Sequence, residues 1–186
     1  MKRTFLAIKI VPGDKMREIY HHFRDELSGE KIKWVDLDSM HITLCFLGDT
    51  REDVIESLKP EITETANGFP ALKLHFRGCG IFKNIRDPRV IWIGMKPDRV
   101  LSELKTSLDN LVVRAGFTLE KRDFRPHLTI ARIKWIRNTD LLGNLVDKYH
   151  DEPVQESVIN EVIFYESILK PERPVYLPLL KAALKG

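Results

Sequence analysis

An internal repeat constrains this chain more strongly than any other feature of its sequence. The pattern H-x-T-x, with an apolar residue at each x, occurs at His41–Leu44 and again at His127–Ile130, 86 residues later. A pattern that returns at a long, fixed offset predicts that one structural unit occurs twice in the fold. The 186 residues are enough for one domain built of two small lobes.

The predicted secondary structure repeats with the same offset. Each half has an alternating strand, an amphipathic helix, the motif strand, a second helix and a further strand. The first half has strands over 3–11, 32–35, 41–47 and 71–77, and helices over 14–28 and from 54 onward. The second half has strands over 89–95, 127–133 and 158–165, and helices over 101–115 and 141–146. Few side chains are identical between the halves, so two unrelated stretches with a similar order of strands and helices remain an alternative to a duplication.

The second helix of the first half has signals at its start and in its middle. Thr50 and Asp53 resemble a capping box, which predicts a helix start at this point. Pro60 lacks the amide hydrogen that a helix needs, so we expect the helix to kink or to end early there.

These patterns predict an α+β fold. We expect one bilobal domain over 1–186, with approximate repeat halves 1–86 and 87–172 and a C-terminal extension, 173–186, that runs extended over the body. The two lobes would be pseudo-symmetric, with antiparallel-rich sheets, helices outside and a central cleft. Equivalent residues of the two halves would then face each other across the cleft.

The repeated motif suits acid–base chemistry. Side chains alternate between the two faces of a strand, so the histidine and the threonine of each motif share one face. Imidazole titrates near neutral pH, so one histidine can act as a base while the other acts as an acid in a displacement at phosphorus. The hydroxyls of Thr43 and Thr129 can donate hydrogen bonds to non-bridging phosphate oxygens.

Arg132 is a further candidate for phosphate binding. It follows His127 by five residues and carries a fixed positive charge. Strict alternation would point its side chain away from that of His127. Arg132 therefore contributes to the same site only from a strand end or after a β-bulge, and otherwise it is a surface arginine.

Other chemistries find less support in the sequence. The motifs offer two imidazoles and no third metal ligand, and Asp38 and Asp49 beside the first motif have no counterparts at the second. Cys45 has the strand parity of His41 and so can line the cleft, but Ala131 takes its place in the second half. We therefore expect Cys45 to serve in packing.

The sequence resembles the 2H phosphoesterase family, and within it the RNA 2′,3′-cyclic phosphodiesterase branch, also called 2′-5′ RNA ligase. The resemblance covers nearly the whole chain and is carried by the segments RTFLAIKI, HITLCFLGD, FRPHLTIAR, FYESIL and PVYLPL. The third is specific, because it joins the motif to Pro126 and Arg132. The segment Ile81–Arg86 departs from the family's loop before the second-lobe strand, which puts substrate contacts there in doubt.

The resemblance implies hydrolysis of RNA 2′,3′-cyclic phosphate ends to a 2′-phosphate and a free 3′-hydroxyl. His41 would be the proton donor and His127 the proton acceptor that activates water, although the symmetry of the motifs does not by itself assign these roles. Thr43, Thr129 and Arg132 would bind substrate. The reaction would need no metal ion and no other cofactor, and the partner would be an RNA end such as a tRNA fragment.

Composition leaves several questions open. The net charge of +3 permits phosphate contacts but does not by itself indicate nucleic-acid binding. The sequence has no apolar run long enough to cross a bilayer, and its two cysteines are too few for a disulfide framework, so we expect a cytoplasmic protein that binds no membrane. We also expect a monomer, although the sequence itself does not determine the oligomeric state. A row of Lys73, His75 and Arg77 either touches RNA or is solvated, and Phe5 and Tyr165 either stack a base or lie in the core.

Three other activities remain open at this point. The same fold can catalyse the reverse ligation to a 2′-5′ linkage, or act on a small cyclic nucleotide. A non-catalytic RNA-binding module is the third possibility, but it would not need both histidines.

Overall fold

The computed structural model describes residues 1–96, 98–119, 123–171 and 173–186. Its strands are β1 (Lys2–Lys9), β2 (Lys31–Trp34), β3 (His41–Thr50), β4 (Leu72–Phe82), β5 (Val90–Met95), β6 (His127–Trp135), β7 (Pro153–Ile159), β8 (Glu161–Ile168) and β9 (Val175–Ala183). Its helices are α1 (Asp14–Glu26), α2 (Glu52–Asn67), α3 (Arg99–Arg114) and α4 (Thr139–Tyr149), with a short 3₁₀ turn at Leu37–Ser39.

The strands form two antiparallel sheets. Sheet A has the order β3-β1-β8-β9, and sheet B has the order β2-β6-β5-β4-β7. Helices α2 and α3 pack together and contact sheet A, whereas α1 and α4 contact sheet B. The result is the predicted α+β fold with two lobes, each a sheet with helices on one side.

The two sheets show the duplication directly. The run β3-β1-β8 in sheet A matches the run β6-β5-β4 in sheet B, with each motif strand at the same position. The third strand of each run comes from the other half of the chain, because β8 pairs with β1 and β4 pairs with β5. Each lobe therefore contains strands from both halves, which links the lobes through the main chain.

Amphipathic helices pack their apolar faces against the sheets. Helix α1 buries Met16, Ile19 and Phe23 at helical spacing, and α3 buries Leu101 and Leu108 in the same way. All five side chains are fully inaccessible to water. Removing a buried side chain of this size typically costs about 2–5 kcal/mol of stability, so the packing of these helix faces contributes substantially to the stability of the fold.

The expected capping box and the expected early end of the second helix were both wrong. Thr50 ends β3 instead of capping α2, since its hydroxyl lies 2.7 Å from that of Thr4 and donates to the carbonyl of Gly48. Helix α2 begins at Glu52 and continues through Pro60 to Asn67. Burial of its apolar face offsets the one amide hydrogen bond that proline removes.

Three strands differ from the sequence-based expectation. Strand β4 continues to Phe82, beyond the expected end at 77. The strand expected at 158–165 is two strands in different sheets, separated at Asn160. The C-terminal stretch is an edge strand of sheet A, where Pro178 is tolerated because β9 has a partner on one side only.

Candidate active site

Both repeated motifs line one cleft between the lobes. The cleft has a volume of about 420 Å³ and contains the side chains of His41, Thr43, His127 and Thr129. The remaining lining residues are Arg3, Thr4, Phe5, Val35, Phe46, Arg132, Ser167, Leu169, Pro174 and Tyr176. The expected arrangement, with equivalent motif residues facing one central cleft, is thus present in the structure.

The two imidazoles are held in the same way. Nδ1 of His41 lies 2.7 Å from the carbonyl oxygen of Ser39, and Nδ1 of His127 lies 2.7 Å from that of Arg125. A carbonyl oxygen can only accept, so each Nδ1 carries the hydrogen. Nε2 of each ring is then left to exchange a proton, as a base in the neutral ring and as an acid in the charged ring.

A β-bulge follows the histidine in each motif strand. In β3, Cys45 pairs with Leu6 and Thr43 pairs with Ala7, so Leu44 is an extra residue. The second bulge is equivalent: in β6, Ala131 pairs with Ile91 and Thr129 with Trp92, which leaves Ile130 extra. Each bulge consists of two consecutive buried residues, Leu44 and Cys45 in β3 and Ile130 and Ala131 in β6. Because both residues of a bulge point into the core, the alternation of strand faces reverses beyond it.

The bulges decide which side chains reach the cleft. Arg132 follows the second bulge and lines the cleft with His127, as the hypothesis of a bulge required. Phe46 stands at the equivalent position after the first bulge and is 58% exposed. Cys45 lies in the first bulge and packs in the core, as expected, and its thiol donates to Oδ1 of Asp109 at 3.1 Å and does not line the cleft.

The cleft lowers the pKa of both histidines. For His41 the largest cause is burial, which disfavours the charged ring, and the hydrogen bond to Ser39 opposes it. For His127 burial is again the largest cause, and the hydrogen bond to Arg125 opposes it. In both cases the positive charge of Arg132 lowers the pKa further, so this one guanidinium influences both imidazoles.

Aromatic rings hold the two imidazoles in place. The ring of Tyr176 meets that of His41 edge-on at a centroid distance of 5.1 Å, and the ring centroid of Phe5 lies 5.2 Å from that of His41. On the other lobe, the ring of Phe82 meets that of His127 edge-on at 4.6 Å. Edge-to-face packing of this kind fixes ring orientation.

Sequence reasoning missed most of this aromatic setting. Phe5 and Tyr165, the residues weighed as base-stacking candidates, are only 2% and 8% exposed and belong to a small hydrophobic cluster, and of the two only Phe5 lines the cleft. Phe46 could have been found, because it stands five residues after His41 as Arg132 does after His127. No pattern in the sequence indicates Phe82, because its contact with His127 depends on how far β4 extends.

Among the described residues no three His, Cys, Asp or Glu side chains are grouped as a metal site would require.

Within the same described ranges, none of the helices has the length and apolar character needed to cross a membrane.

The fold and the duplicated site define a class of phosphoesterase. Residues 8–92 and 93–176 each match the family model described as LigT like Phosphoesterase. The two matches follow one another and together span most of the chain. The chain therefore belongs to the LigT-like phosphoesterase family, which confirms the resemblance to 2H phosphoesterases, and it is an enzyme of that class.

Two relatives with known names are similar to this chain. The RNA 2′,3′-cyclic phosphodiesterase of Methanothermobacter thermautotrophicus is 34% identical over 176 residues, which are 94% of this chain and 94% of the relative. The protein of the same name from Archaeoglobus fulgidus is 34% identical over 178 residues, 95% of this chain and 97% of the relative. The similarity therefore extends over almost the full length of both relatives.

Solved structures agree on the fold. LigT of E. coli complexed with 3′-AMP superimposes with a TM-score of 0.74 at 26% identity, over 100% of this chain and 99% of that one. A protein of Thermus thermophilus gives a TM-score of 0.78 at 24% identity over 99% of this chain and 98% of that one, which supports the fold alone.

Proposed function

We propose that this enzyme hydrolyses the 2′,3′-cyclic phosphate at an RNA end to a 2′-phosphate and a free 3′-hydroxyl, as the names of its relatives suggest. One observation carries the proposal: two imidazoles with equivalent Nδ1 hydrogen bonds present Nε2 to one cleft that also contains an arginine. An in-line displacement at phosphorus needs a base on one side and an acid on the other.

The reaction follows from that arrangement. Nε2 of neutral His127 takes a proton from a water molecule, and the water oxygen attacks phosphorus. The bond between phosphorus and the 3′ oxygen breaks, and Nε2 of charged His41 gives its proton to the departing oxygen. Proton transfer between the rings through solvent then restores the starting state.

The environment of the rings supports this assignment of roles. His41 is the more deeply buried of the two, and His127 lies on the more open side of the cleft. Water reaches the open side more readily, which favours His127 as the base. The ribose oxygen that leaves can be enclosed next to His41.

Three further side chains complete the proposed site. The hydroxyls of Thr43 and Thr129 each share a strand face with a histidine and donate to the non-bridging phosphate oxygens. Arg132 offsets the negative charge that grows on those oxygens during attack. Because side chains supply acid, base and charge, we propose that catalysis needs no metal ion.

The decisive experiment uses a short RNA that ends in a 2′,3′-cyclic phosphate, incubated with enzyme in EDTA. We expect a product with a 2′-phosphate and a 3′-hydroxyl, identified by NMR of the terminal nucleotide and by resistance to enzymes that remove only 3′-phosphates. The control is His41→Ala/His127→Ala, checked for folding by circular dichroism. A 3′-phosphate product, or activity that returns only with a divalent ion, would contradict the proposal.

A further inference from the structure

A row of basic side chains leaves the cleft along the edge of sheet B. In the pairing of β2 with β6, Lys33 stands directly opposite Arg132. Side chains of directly opposed residues lie on the same face of a sheet. The neighbours of Lys33, Ile32 and Trp34, pack against the core on the other face. Lys33 is therefore beside Arg132 on the face that continues the cleft.

The row continues to the far ends of the two strands. Lys31 pairs with Trp135, and a register shift next to this pair leaves Lys134 as an extra residue. Lys134 and Trp135 are both exposed, in contrast to the buried bulges near the histidines. We call the four bases Lys31, Lys33, Arg132 and Lys134 the β2–β6 basic row. Alternate residues on a strand are roughly 6.5–7 Å apart, so the row extends well beyond the catalytic centre.

The β2–β6 basic row differs from the basic surface on β4 in its ion pairs. Lys73 and His75 on β4 both contact Glu156, and Arg77 is bound to Asp151 through both carboxylate oxygens. That surface is neutralised by its own acids, which favours the solvated interpretation of it. No acidic side chain in the described part of the chain lies within ion-pair distance of the β2–β6 basic row.

The chemistry of the proposed substrate supplies a partner for these charges. A 2′,3′-cyclic phosphate uses both the 2′ and the 3′ oxygens of its ribose, so the RNA chain can leave the site only through the 5′ oxygen. The next phosphodiester groups are therefore on that 5′ side. A single strand is held by basic side chains along its backbone and by an aromatic face for a base. Trp135, 48% exposed with the Arg137 guanidinium 5.5 Å from its ring, offers such a face at the end of the row.

We propose that the β2–β6 basic row binds the phosphodiester backbone on the 5′ side of the cyclic end, so that the enzyme acts on oligonucleotides in preference to cyclic mononucleotides. The proposal rests on the proposed function and deepens it, since it names the substrate class. Lysines on an edge strand also oppose aggregation of sheets. That role needs charge but no RNA, so RNA binding separates the two explanations.

The test compares 2′,3′-cyclic AMP with a 5′-labelled RNA of about six nucleotides that has a 2′,3′-cyclic phosphate end. The variant is Lys31→Gln/Lys134→Gln, which changes the two bases farthest from the histidines. The matched control is Lys73→Gln on β4. Turnover gives KM for both substrates, and fluorescence anisotropy of the labelled RNA measures binding independently of turnover.

We expect the double variant to raise KM and Kd for the RNA several-fold, while KM for cyclic AMP and all values for the control stay unchanged. Each lost phosphate contact reduces the slope of log affinity against log salt by about 0.7 for a single strand, so the two substitutions should reduce it by up to about 1.4. Unchanged RNA binding and salt slope in the double variant would overturn the row as a binding site. Absence of turnover on both substrates would overturn the proposed function instead, and anisotropy would still decide on the row.

Discussion

Arg132 provides a sensitive test of the site, because one guanidinium lowers the pKa of both imidazoles. In Arg132→Gln the positive charge is lost, and with it the repulsion that disfavours the charged form of each ring. The pKa of His41 and that of His127 should therefore both rise. The pH dependence of kcat/KM reports the base through its acidic limb and the acid through its alkaline limb. Both limbs should consequently move to higher pH.

The rate should fall as well. A hydrogen bond from a charged donor contributes about 1.5–3 kcal/mol. Losing it in the transition state corresponds to a decrease in kcat/KM of about 10- to 150-fold, at about 1.36 kcal/mol per factor of ten. In the unsubstituted enzyme the maximum of the bell should lie below pH 6.5, the ordinary pKa of histidine, since both pKa values are lowered.

The assay is a pH profile of kcat/KM on RNA with a 2′,3′-cyclic phosphate end. Arg132→Lys keeps the charge, so its limbs should stay in place while its rate falls. Arg89→Gln is the matched control, because Arg89 directly precedes β5, forms an ion pair with Asp87 and does not line the cleft. A uniform loss of rate with unmoved limbs in Arg132→Gln would refute the electrostatic reasoning.

The remaining predictions concern the motif residues and a buried thiol. His41→Ala and His127→Ala should each lower turnover about 10²–10⁴-fold, and the two effects should not be additive. A nitrophenyl phosphodiester has a good leaving group that needs no acid, so it should partly rescue the activity of His41→Ala. Rescue of His127→Ala instead would reverse the assigned roles of the two histidines. Thr43→Ala and Thr129→Ala should cost only about 0.5–1.5 kcal/mol, roughly 2- to 13-fold in kcat/KM, and a larger loss would show a direct catalytic role. Burial raises the pKa of Cys79 to about 12, so iodoacetamide should label it slowly in the native protein and quickly in urea; equal rates would contradict its burial.

Local patterns in the sequence were sufficient for most of the helices and strands and for the faces of the histidine and threonine in each motif. The period of apolar residues identified α1 and α3, because helical spacing is a property of a short segment alone. The alternation His41–Thr43 and its repeat at His127–Thr129 placed each imidazole beside a hydroxyl for the same reason. The duplication followed from two motifs at one offset, and with it the expectation of a shared cleft.

Pairing between distant strands decided the rest. A β-bulge exists only relative to a partner strand, so the pairing of β6 with β5 determines that Arg132 reaches the cleft and the pairing of β3 with β1 determines that Cys45 does not. The exchange of β4 and β8 between the sheets, and with it the contact of Phe82 with His127, depends on contacts between residues far apart in the chain. The period of apolar residues shows which residues of one segment share a face. The register between paired strands determines what that face contacts, and it is set only when distant segments pair in the folded chain.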